Sequence, residues 1–289
     1  MPNTELTEFI KKAIGKVPVF SMRALQLLKL AADPAHHLTD IINIVKQDIG
    51  LTARVLKTVN SAAFIRHAEI TTIDRAITQL GETIVVGLAV MEAASRQFKT
   101  DLSGYDGLPG DLWRHSLKTA IAAKKIGHFS VGTVKENMAY TGGLLHDIGK
   151  SLTSDFLQNT AQGISEQINE GKFGEYCAAE REIMGQDHAE TGFLLATHWH
   201  LPPPLPQVIR FHHHPADSPE PIRPLVYTVH LADILAMMTG CGTGADTLQY
   251  RLDPKYSEYL QITEDDLPRL ILEIDEEFTS LLDTFQSPA

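Results

Sequence analysis

The chain has 289 residues, of which 43% are hydrophobic and 21% charged, and its formal net charge is −11. This composition is that of an ordinary globular protein and argues against a largely disordered chain. The excess of acidic residues argues against extended binding to nucleic acid, which needs lysine and arginine to neutralise phosphates. It is compatible with a local basic pocket for a small phosphorylated ligand or nucleotide.

The N-terminal segment MPNTELTEFIKKAIG is polar and acidic, whereas a secretory signal is basic and then apolar. The longest apolar stretch, from Ile84 to Met91, is far shorter than the roughly 20 residues of a membrane-spanning helix. The two cysteines, Cys177 and Cys241, are too few for a disulfide framework. We therefore expect a reduced, cytoplasmic protein with no membrane segment, and a single disulfide between the two cysteines is the alternative.

Helical periodicity dominates the N-terminal part of the chain, where apolar residues recur at the i, i+3, i+4 and i+7 spacing. One such face holds Met22, Leu25 and Leu28, a second holds Leu38, Ile41, Ile42 and Val45, and a third holds Leu51, Val55 and Val59. Thr39 and Thr72 are candidate N-caps, and Gly81 is a candidate C-terminal stop. No alternating run is long enough to predict a strand, so we predict an all-α fold with an N-terminal helical bundle over residues 1–104.

A segment rich in Gly and Pro, residues 99–110 (KTDLSGYDGLPG), separates this bundle from a second helical region that we place at residues 105–245. Ten of the 13 histidines lie in that region, between His115 and His230. The acidic tail is again periodic and predicts closing helices over residues 246–289. The expected architecture is therefore an N-terminal bundle packed on a helical domain that carries the histidines.

The His146-Asp147 dipeptide follows an apolar helical segment with small residues, residues 138–145. An imidazole and a carboxylate at the inner end of such a helix are costly to bury unless they are paired or bound to metal. The alternative is a solvated helix end, because Gly149 could terminate the helix there. Lys150 could counter the negative charge of a phosphate, or it could be a solvated lysine that complements the helix dipole.

His212 and His213 follow a predicted helix that begins after the prolines at 202–204. His212 lies on the apolar stripe of that helix, and His213 lies about 100° further round, because an α-helix has roughly 3.6 residues per turn. Adjacent histidines can address two neighbouring ions, or one ion and its bound ligand. The alternative is a short histidine tract at an exposed helix end.

Asp233 lies on an apolar helical stripe, where an unpaired carboxylate would be expensive, so it needs a cation or hydrogen-bond donors. An Arg or Lys partner is the alternative to a metal ion. His115 comes early in a helix, with Asp111 one turn before it, and a surface pair of these two residues is the alternative there. His188 follows Asp187, a good N-cap, and could equally be an exposed helix-start histidine.

Together these segments supply seven nitrogen and oxygen donors, which we predict to be metal ligands. They are His115, His146, Asp147, His188, His212, His213 and Asp233. A mixture of imidazole and carboxylate suits iron, manganese, zinc or nickel better than calcium or magnesium. Seven donors are too many for one ion that keeps an open position, so we expect two divalent transition metal ions, with iron or manganese as the first choice.

At this point the sequence resembles known families. The order of the donors is similar to the H…HD…D signature of the HD superfamily of metal-dependent phosphohydrolases: His115, then His146-Asp147 within LLHDIGK, then Asp233. The additional histidines resemble the second-metal ligands of the HD-GYP branch, whose members are phosphodiesterases that act on cyclic dinucleotides. The resemblance implies an HD-type dinuclear site in a helical domain.

A closer resemblance is to the HDOD family, the HD-related output domain of bacterial signalling proteins, and it covers about Val17 to Ala236. The matching blocks are VPVFSMRALQLLKLAADP, LTARVLKTVNSAAF with its Asn60-Ser61 pair, TTIDRAITQLG, LLHDIGK, EREIMGQDHAETGFLLATHWHLP and VIRFHHHP. Several blocks in the right order make this resemblance specific. It implies an output module of bacterial signal transduction that works with a regulatory protein partner.

Three comparisons with these families bear on function. Many HDOD proteins lack metal ligands and are regarded as regulatory modules, whereas this sequence keeps the whole set. Asp111 stands one turn before His115, where some trimetallic HD-GYP enzymes have a ligating acid, so Asp111 is a possible extra ligand. The GYP segment is absent, because the chain reads HHHPADSPEPIRP after the paired histidines. This absence weakens the case for a cyclic dinucleotide substrate.

Two functional predictions remain open. The first is a metal-dependent phosphohydrolase or phosphodiesterase acting on a nucleotide or another phosphoester, with Asp147 and Lys150 as catalytic residues. The second is a catalytically inactive regulatory module that signals through protein contacts, in which the metal is structural or binds a ligand. The complete donor set favours metal binding in both.

Overall fold

The computed structural model of the protein describes residues 4–61, 63–64, 69–158 and 161–286. The chain is 68% helical, and the predicted all-α fold is confirmed. Within the described ranges the only β-type pairing is one isolated antiparallel bridge between Ser130 and Leu260. The helices of the N-terminal part are α1 (Thr4–Lys16), α2 (Met22–Ala32), α3 (Leu38–Lys46), α4 (Ile49–Val59), α5 (Ile73–Leu80), α6 (Glu82–Ala93) and α7 (Ser95–Phe98).

The helix ends agree in part with the sequence signals. Thr72 is the N-cap residue of α5, and Gly81 ends that helix with a φ of 78°, a value that favours glycine. The predicted N-cap at Thr39 is wrong, because α3 begins at Leu38 and its N-cap residue is His37. The His37 backbone N–H donates to the Asp40 carboxylate at 3.1 Å, which places the start of the helix earlier.

The remaining helices carry the histidines and the C-terminal tail. They are α8 (Asp111–Ile126), α9 (Glu136–Leu145), α10 (Lys150–Leu157), α11 (Ala161–Asn169), α12 (Tyr176–Met184), α13 (His188–His198), α14 (Leu205–Phe211), α15 (Arg223–Met238), α16 (Tyr256–Tyr259) and α17 (Asp266–Gln286). Helix α8 lies at the centre, where it packs against α9, α15 and α17. Helices α13 and α14 pack on each other, and α14 also contacts α9.

One continuous cluster of buried apolar side chains runs through the molecule, from Ile10 on α1 to Leu281 on α17. The apolar run Ile84–Met91 on α6 is buried, and this helix contacts both α2 and α9. Helix α1 contacts α10 and α13, so the N-terminal helices pack directly on the histidine-bearing region. The divisions at residues 104 and 245 stay a prediction.

The segment expected to separate two domains, residues 99–110, contributes three buried residues, Leu102, Gly104 and Tyr105, and its other residues are exposed or partly exposed. Tyr105 is fully buried, and its hydroxyl donates to the Glu180 carboxylate at 2.5 Å. Both cysteines are buried and unpaired, so the alternative of a disulfide between them is wrong. Within the described ranges, no single helix combines the length and apolar composition needed to cross a membrane. The α5–α6 pair meets that criterion only jointly, and it bends by 103° between its two helices.

Candidate metal centre

Five segments bring the seven predicted ligands together. α8 supplies His115, the residues after α9 are His146 and Asp147, His188 begins α13, and α15 supplies Asp233. His212 and His213 directly follow α14. All seven side chains are between 0% and 4% exposed, so the alternatives of solvated helix ends and a surface histidine tract are wrong.

Two glycines allow the close helix contacts that assemble this cluster. A Cβ atom at Gly143 on α9 would lie 2.8 Å from the Thr119 carbonyl oxygen of α8. A Cβ atom at Gly149 would lie 2.0 Å from the His188 carbonyl oxygen of α13. Because glycine has no side chain, the chain around Asp147 can press against both helices.

One side of the cluster joins α8, α9 and α15. The Nε2 atom of His115 lies 3.0 Å from Asp233 Oδ1 and 3.4 Å from Asp147 Oδ2. The Nε2 atoms of His115 and His146 are 3.2 Å apart. His146 Nε2 also lies 3.5 Å from an oxygen of each of the two carboxylates. Four donors therefore converge on one small volume.

The other side of the cluster joins Asp147 to the histidines near α13 and α14. Asp147 Oδ1 lies 3.3 Å from His188 Nε2 and 3.5 Å from His212 Nε2. The Nε2 atoms of His188 and His213 are 2.9 Å apart, and His213 Nδ1 lies 3.9 Å from Asp233 Oδ2. Asp147 thus turns one oxygen to each side of the cluster, which is the geometry of a bridging carboxylate.

Four of the five histidines are held by an acceptor at Nδ1, and each of these contacts is 2.7 Å long. The pairs are His115 with the Cys241 carbonyl, His146 with the Gly143 carbonyl, His212 with the Ile209 carbonyl, and His188 with Glu180 Oε2. When such a ring is neutral and its Nδ1–H donates to the acceptor, the Nε2 lone pair is directed into the cluster. This tautomer is the one that a metal ligand needs.

The electrostatics of the cluster favour charged carboxylates. Burial opposes ionisation of Asp147, but Lys150 and the histidines around it hold its pKa well below the usual value. Burial likewise opposes ionisation of Asp233, yet His115 and His146 hold its pKa well below the usual value. Among the described residues, no lysine or arginine lies within ion-pair distance of Asp233, so the predicted alternative of such a partner is wrong.

The histidines divide into two electrostatic groups. Burial lowers the pKa of His212 to about 4, and burial with the neighbouring histidines lowers the pKa of His213 well below its usual value. Burial also opposes a charge on His188, but the carboxylates of Glu180 and Asp147 raise the pKa of that residue to about 10. Carboxylates that favour a proton on His188 also favour a metal cation in its place, and metal binding then releases the proton.

Several buried nitrogen and oxygen atoms of the cluster have no hydrogen-bond partner in the described part of the chain. They are Asp147 Oδ1, His212 Nε2, His213 Nδ1 and Asp233 Oδ2. Four sets of buried residues in the described ranges each place their donor atoms within 4.8 Å of one another, and two of these sets include Asp147: Asp147, His188, His212 and His213 in one, and His115, His146 and Asp147 in the other. The remaining two sets are His146, His212 and Asp233, and Cys177, Glu180 and His188. Ligands about 2.0–2.2 Å from a shared ion lie roughly 3 Å apart. The cluster therefore fits a transition metal.

Asp111, the possible extra ligand, belongs to none of these sets of donors. Its carboxylate accepts a hydrogen bond from the Leu108 backbone N–H at 2.7 Å and pairs with Arg114, one turn further along α8. The Asp111 carboxylate therefore has both of its partners at the beginning of its own helix. The structure gives no support for Asp111 as a metal ligand.

Lys150 is 1% exposed, so the alternative of a solvated helix-end lysine is wrong. Its amine lies 2.6 Å from Asp147 Oδ2 and 2.6 Å from Asp246 Oδ2, and it donates to Thr243 Oγ1 at 3.0 Å. Burial opposes its charge, but the two carboxylates raise the pKa of Lys150. The amine therefore holds Asp147 in place and is neutralised within the protein.

Two functional carboxylates were missed in the sequence. Glu180 orients His188, and its signal was present, because Tyr176, Glu180 and Met184 share one buried face of α12. The reasoning that identified Asp233 applies equally to Glu180. Asp246 compensates Lys150 from a segment without regular secondary structure, where no periodic pattern could have identified it.

The protein is all-helical and carries a buried cluster of His and Asp side chains that could hold a metal ion. The family model for the HDOD domain matches residues 17–215. This match covers more than half of the chain, so the protein belongs to the HDOD domain family.

Proteins of known structure share the fold. An HDOD domain protein of unknown function from Geobacter sulfurreducens is 24% identical, with a TM-score of 0.72 over 98% of each chain. A protein provisionally named a phosphohydrolase, from Shewanella amazonensis SB2B, is 24% identical with a TM-score of 0.59 over 93% of this chain and 88% of its own.

A relative found by sequence, an uncharacterized protein from Treponema pallidum, is 27% identical over 238 residues, which are 80% of this chain but 44% of that relative.

Proposed function

We propose that the protein binds two adjacent divalent transition metal ions and hydrolyses a phosphoester as an output module of signal transduction. The observation that carries this proposal is the orientation of Asp147, which turns Oδ2 towards His115 and His146 and Oδ1 towards His188 and His212. A carboxylate shared in this way is suited to bridge two ions. We further propose that the protein works in the cytoplasm.

The donors divide between the two proposed ions. His115, His146 and Asp233 would hold the first ion together with Asp147, whose other oxygen would join the second ion. His188, His212 and His213 would complete the second site. Nitrogen and oxygen donors without a thiolate favour iron or manganese, with zinc and nickel as the alternatives.

The chemistry of such a centre is that of phosphoester hydrolysis. A bound pair of ions lowers the pKa of water and stabilises negative charge on a phosphoryl oxygen. Asp147 contributes the shared carboxylate, and Lys150 positions that carboxylate through its 2.6 Å contact with Oδ2. Glu180 orients His188 through Nδ1 at 2.7 Å. The provisionally named phosphohydrolases among the structures with this fold agree with this reaction class.

The metal content provides the first test. We expect purified protein to carry close to two transition metal ions per chain, and Asp147→Asn to lose most of both, because its carboxylate serves both groups. Elemental analysis with anomalous scattering at the absorption edges measures the ratio and identifies the metal. Asp155→Asn, an exposed carboxylate on the neighbouring helix α10, is the matched control and should keep the full ratio. A ratio near zero in wild-type protein would overturn the proposal.

Hydrolysis provides the second test. We expect the metal-loaded protein to hydrolyse at least one compound in a panel of nucleotides, cyclic nucleotides and p-nitrophenyl esters, without a covalent enzyme intermediate. Asp147→Asn should reduce that rate by about two orders of magnitude or more, since the loss of a group that stabilises transition-state charge has this size of effect. Release of phosphate or p-nitrophenol measures the rate. An inactive, fully metallated protein across the whole panel would rule out the enzymatic proposal.

A second function is supported by the burial of the same cluster. All seven donors are at most 4% exposed, as in a metal site that stabilises a fold. In this alternative the protein is a catalytically inactive module, whose metal centre is structural or binds a ligand and whose output passes through contacts with a regulatory protein. A metallated but inactive protein that captures a specific partner would favour this alternative.

A further inference from the structure

One of the seven donors, His213, lies between the cluster and a surface cavity. His213 is the most exposed of the seven donors, at 4%, and it lines a cavity of about 510 Å³. The ring of His213 stacks on Tyr250 at a centroid distance of 4.0 Å, so one wall of its environment is closed by an aromatic side chain. A cavity of this volume lies in the range that holds one small organic ligand.

Three segments form the walls of this cavity, which we call the His213 cavity. They are residues 174–178 at the beginning of α12, residues 213–217 after α14, and residues 251–254 beyond Tyr250. Most of the charged side chains on these walls already have an ion-pair or hydrogen-bond partner. Glu175 pairs with His214 at 3.0 Å and with Arg181 at 3.6 Å. Asp253 accepts hydrogen bonds from the Tyr227 hydroxyl and the Lys255 backbone N–H.

Two charged side chains of the cavity are left for a ligand. Arg251 is exposed, and within the described part of the chain its guanidinium forms no ion pair or hydrogen bond. Asp217 is also exposed, and no described residue binds its carboxylate. A free guanidinium binds phosphate through parallel N–H donors, and a free carboxylate accepts from hydroxyl groups, as it does from ribose in nucleotide sites.

We propose that the His213 cavity binds a phosphorylated sugar or mononucleotide. Arg251 holds the phosphate at the edge of the metal centre, and Asp217 accepts a hydrogen bond from a sugar hydroxyl. This inference rests on the proposed function, because it assigns the substrate class of the same centre. It makes Arg251 and Asp217 specificity-determining residues, and neither belongs to the seven-donor set.

Equilibrium binding to the full-length, manganese-loaded protein tests the inference, with calorimetry as the measurement. The probes are the non-hydrolysable phosphonate analogues of adenosine 5′-monophosphate and ribose 5-phosphate, together with adenosine and inorganic phosphate. We expect both phosphorylated sugars to bind, and Arg251→Ala to weaken them by at least tenfold. The matched control is Arg269→Ala, since Arg269 lies on α17 and is 64% exposed. This control should leave all affinities unchanged.

Two further variants separate the cavity from a general effect of charge. Asp217→Ala should weaken both sugar phosphates and leave inorganic phosphate unchanged, because only the sugars supply hydroxyl donors. Ala178→Phe places an aromatic ring in the cavity without altering any charge, and it should weaken both phosphorylated sugars. Stronger binding of the mononucleotide than of ribose 5-phosphate would assign the ligand as a nucleotide, and the reverse order would assign it as a sugar phosphate.

The metal-to-chain ratio is measured for every variant, so the inference and the proposed function can fail separately. A ratio near zero in wild-type protein contradicts the proposed function. If the metal ratio is normal but the sugar phosphates do not bind, the inference is overturned and the proposed metal centre is unaffected. The same holds if the sugar phosphates bind Arg251→Ala and Ala178→Phe as tightly as they bind wild-type protein.

Discussion

Replacing Lys150 with methionine is expected to lower the free energy of unfolding of the chelator-treated protein by about 3–5 kcal/mol. The amine lies 2.6 Å from carboxylate oxygens of Asp147 and Asp246, and all three side chains are at most 1% exposed. Removing the cation leaves two buried carboxylates without their shared partner. Urea unfolding followed by circular dichroism measures the change, and the chelator removes any contribution from bound ions.

A surface lysine is the matched control for this substitution. Lys46 pairs with Asp74 at 2.8 Å, but the two side chains are 46% and 57% exposed. Lys46→Met should therefore change the free energy of unfolding far less than Lys150→Met, since solvent screens exposed pairs. In the double variant Lys150→Met/Asp246→Asn, the loss should be smaller than the sum of the two single losses. Equal losses for Lys150→Met and Lys46→Met would show that the buried network contributes little.

Asp233→Ala is expected to remove most of the stability that the protein gains from metal. A ligand at a hundredfold excess over its dissociation constant stabilises the native state by about 2.7 kcal/mol. Wild-type protein should lose about that amount on chelation, whereas the variant should lose little more, because Asp233 Oδ1 lies among the donors of His115 and His146. Thermal and urea unfolding of both proteins, with and without chelator, form a complete cycle.

The outcome of this cycle distinguishes a ligand from an ordinary buried carboxylate. If Asp233 only compensated the neighbouring histidines, the mutation and the chelator would act independently, and their effects would add. Additive losses would therefore remove Asp233 from the proposed ligand set. Asp155→Ala, at an exposed position on α10, is the control and should leave the effect of the chelator unchanged.

The predicted fold followed from local patterns and is confirmed. Apolar spacing of three and four residues identifies a helix wherever one face must be buried, and this requirement acts within a single element. It gave the correct helical class and the correct end of α5 at Gly81. It misplaced the beginning of α3, because the Asp40 carboxylate accepts a hydrogen bond from the backbone N–H of His37, two residues before the expected N-cap.

The composition of the cluster was also accessible from the sequence, because a buried imidazole or carboxylate is costly in any fold and requires a partner. That argument selected Asp233 and the His146-Asp147 pair, and the structure places them within one group of side chains. The same argument, applied to the buried face of α12, would have added Glu180. Residue chemistry and helical spacing are properties of short segments, so the sequence by itself indicated which side chains need a compensating partner once they are buried.

Only the tertiary structure decided how those side chains are arranged. Asp147 turns its two oxygens to opposite sides because α9 approaches α8 at Gly143, and the chain at Gly149 approaches α13. Lys150 is neutralised by Asp246, which lies 96 residues further along the chain in an irregular segment. Arg251, which has no ion-pair partner among the described residues, lines the same cavity as His213. These outcomes depend on contacts between distant segments, and the spacing of residues within one helix carries no information about such contacts.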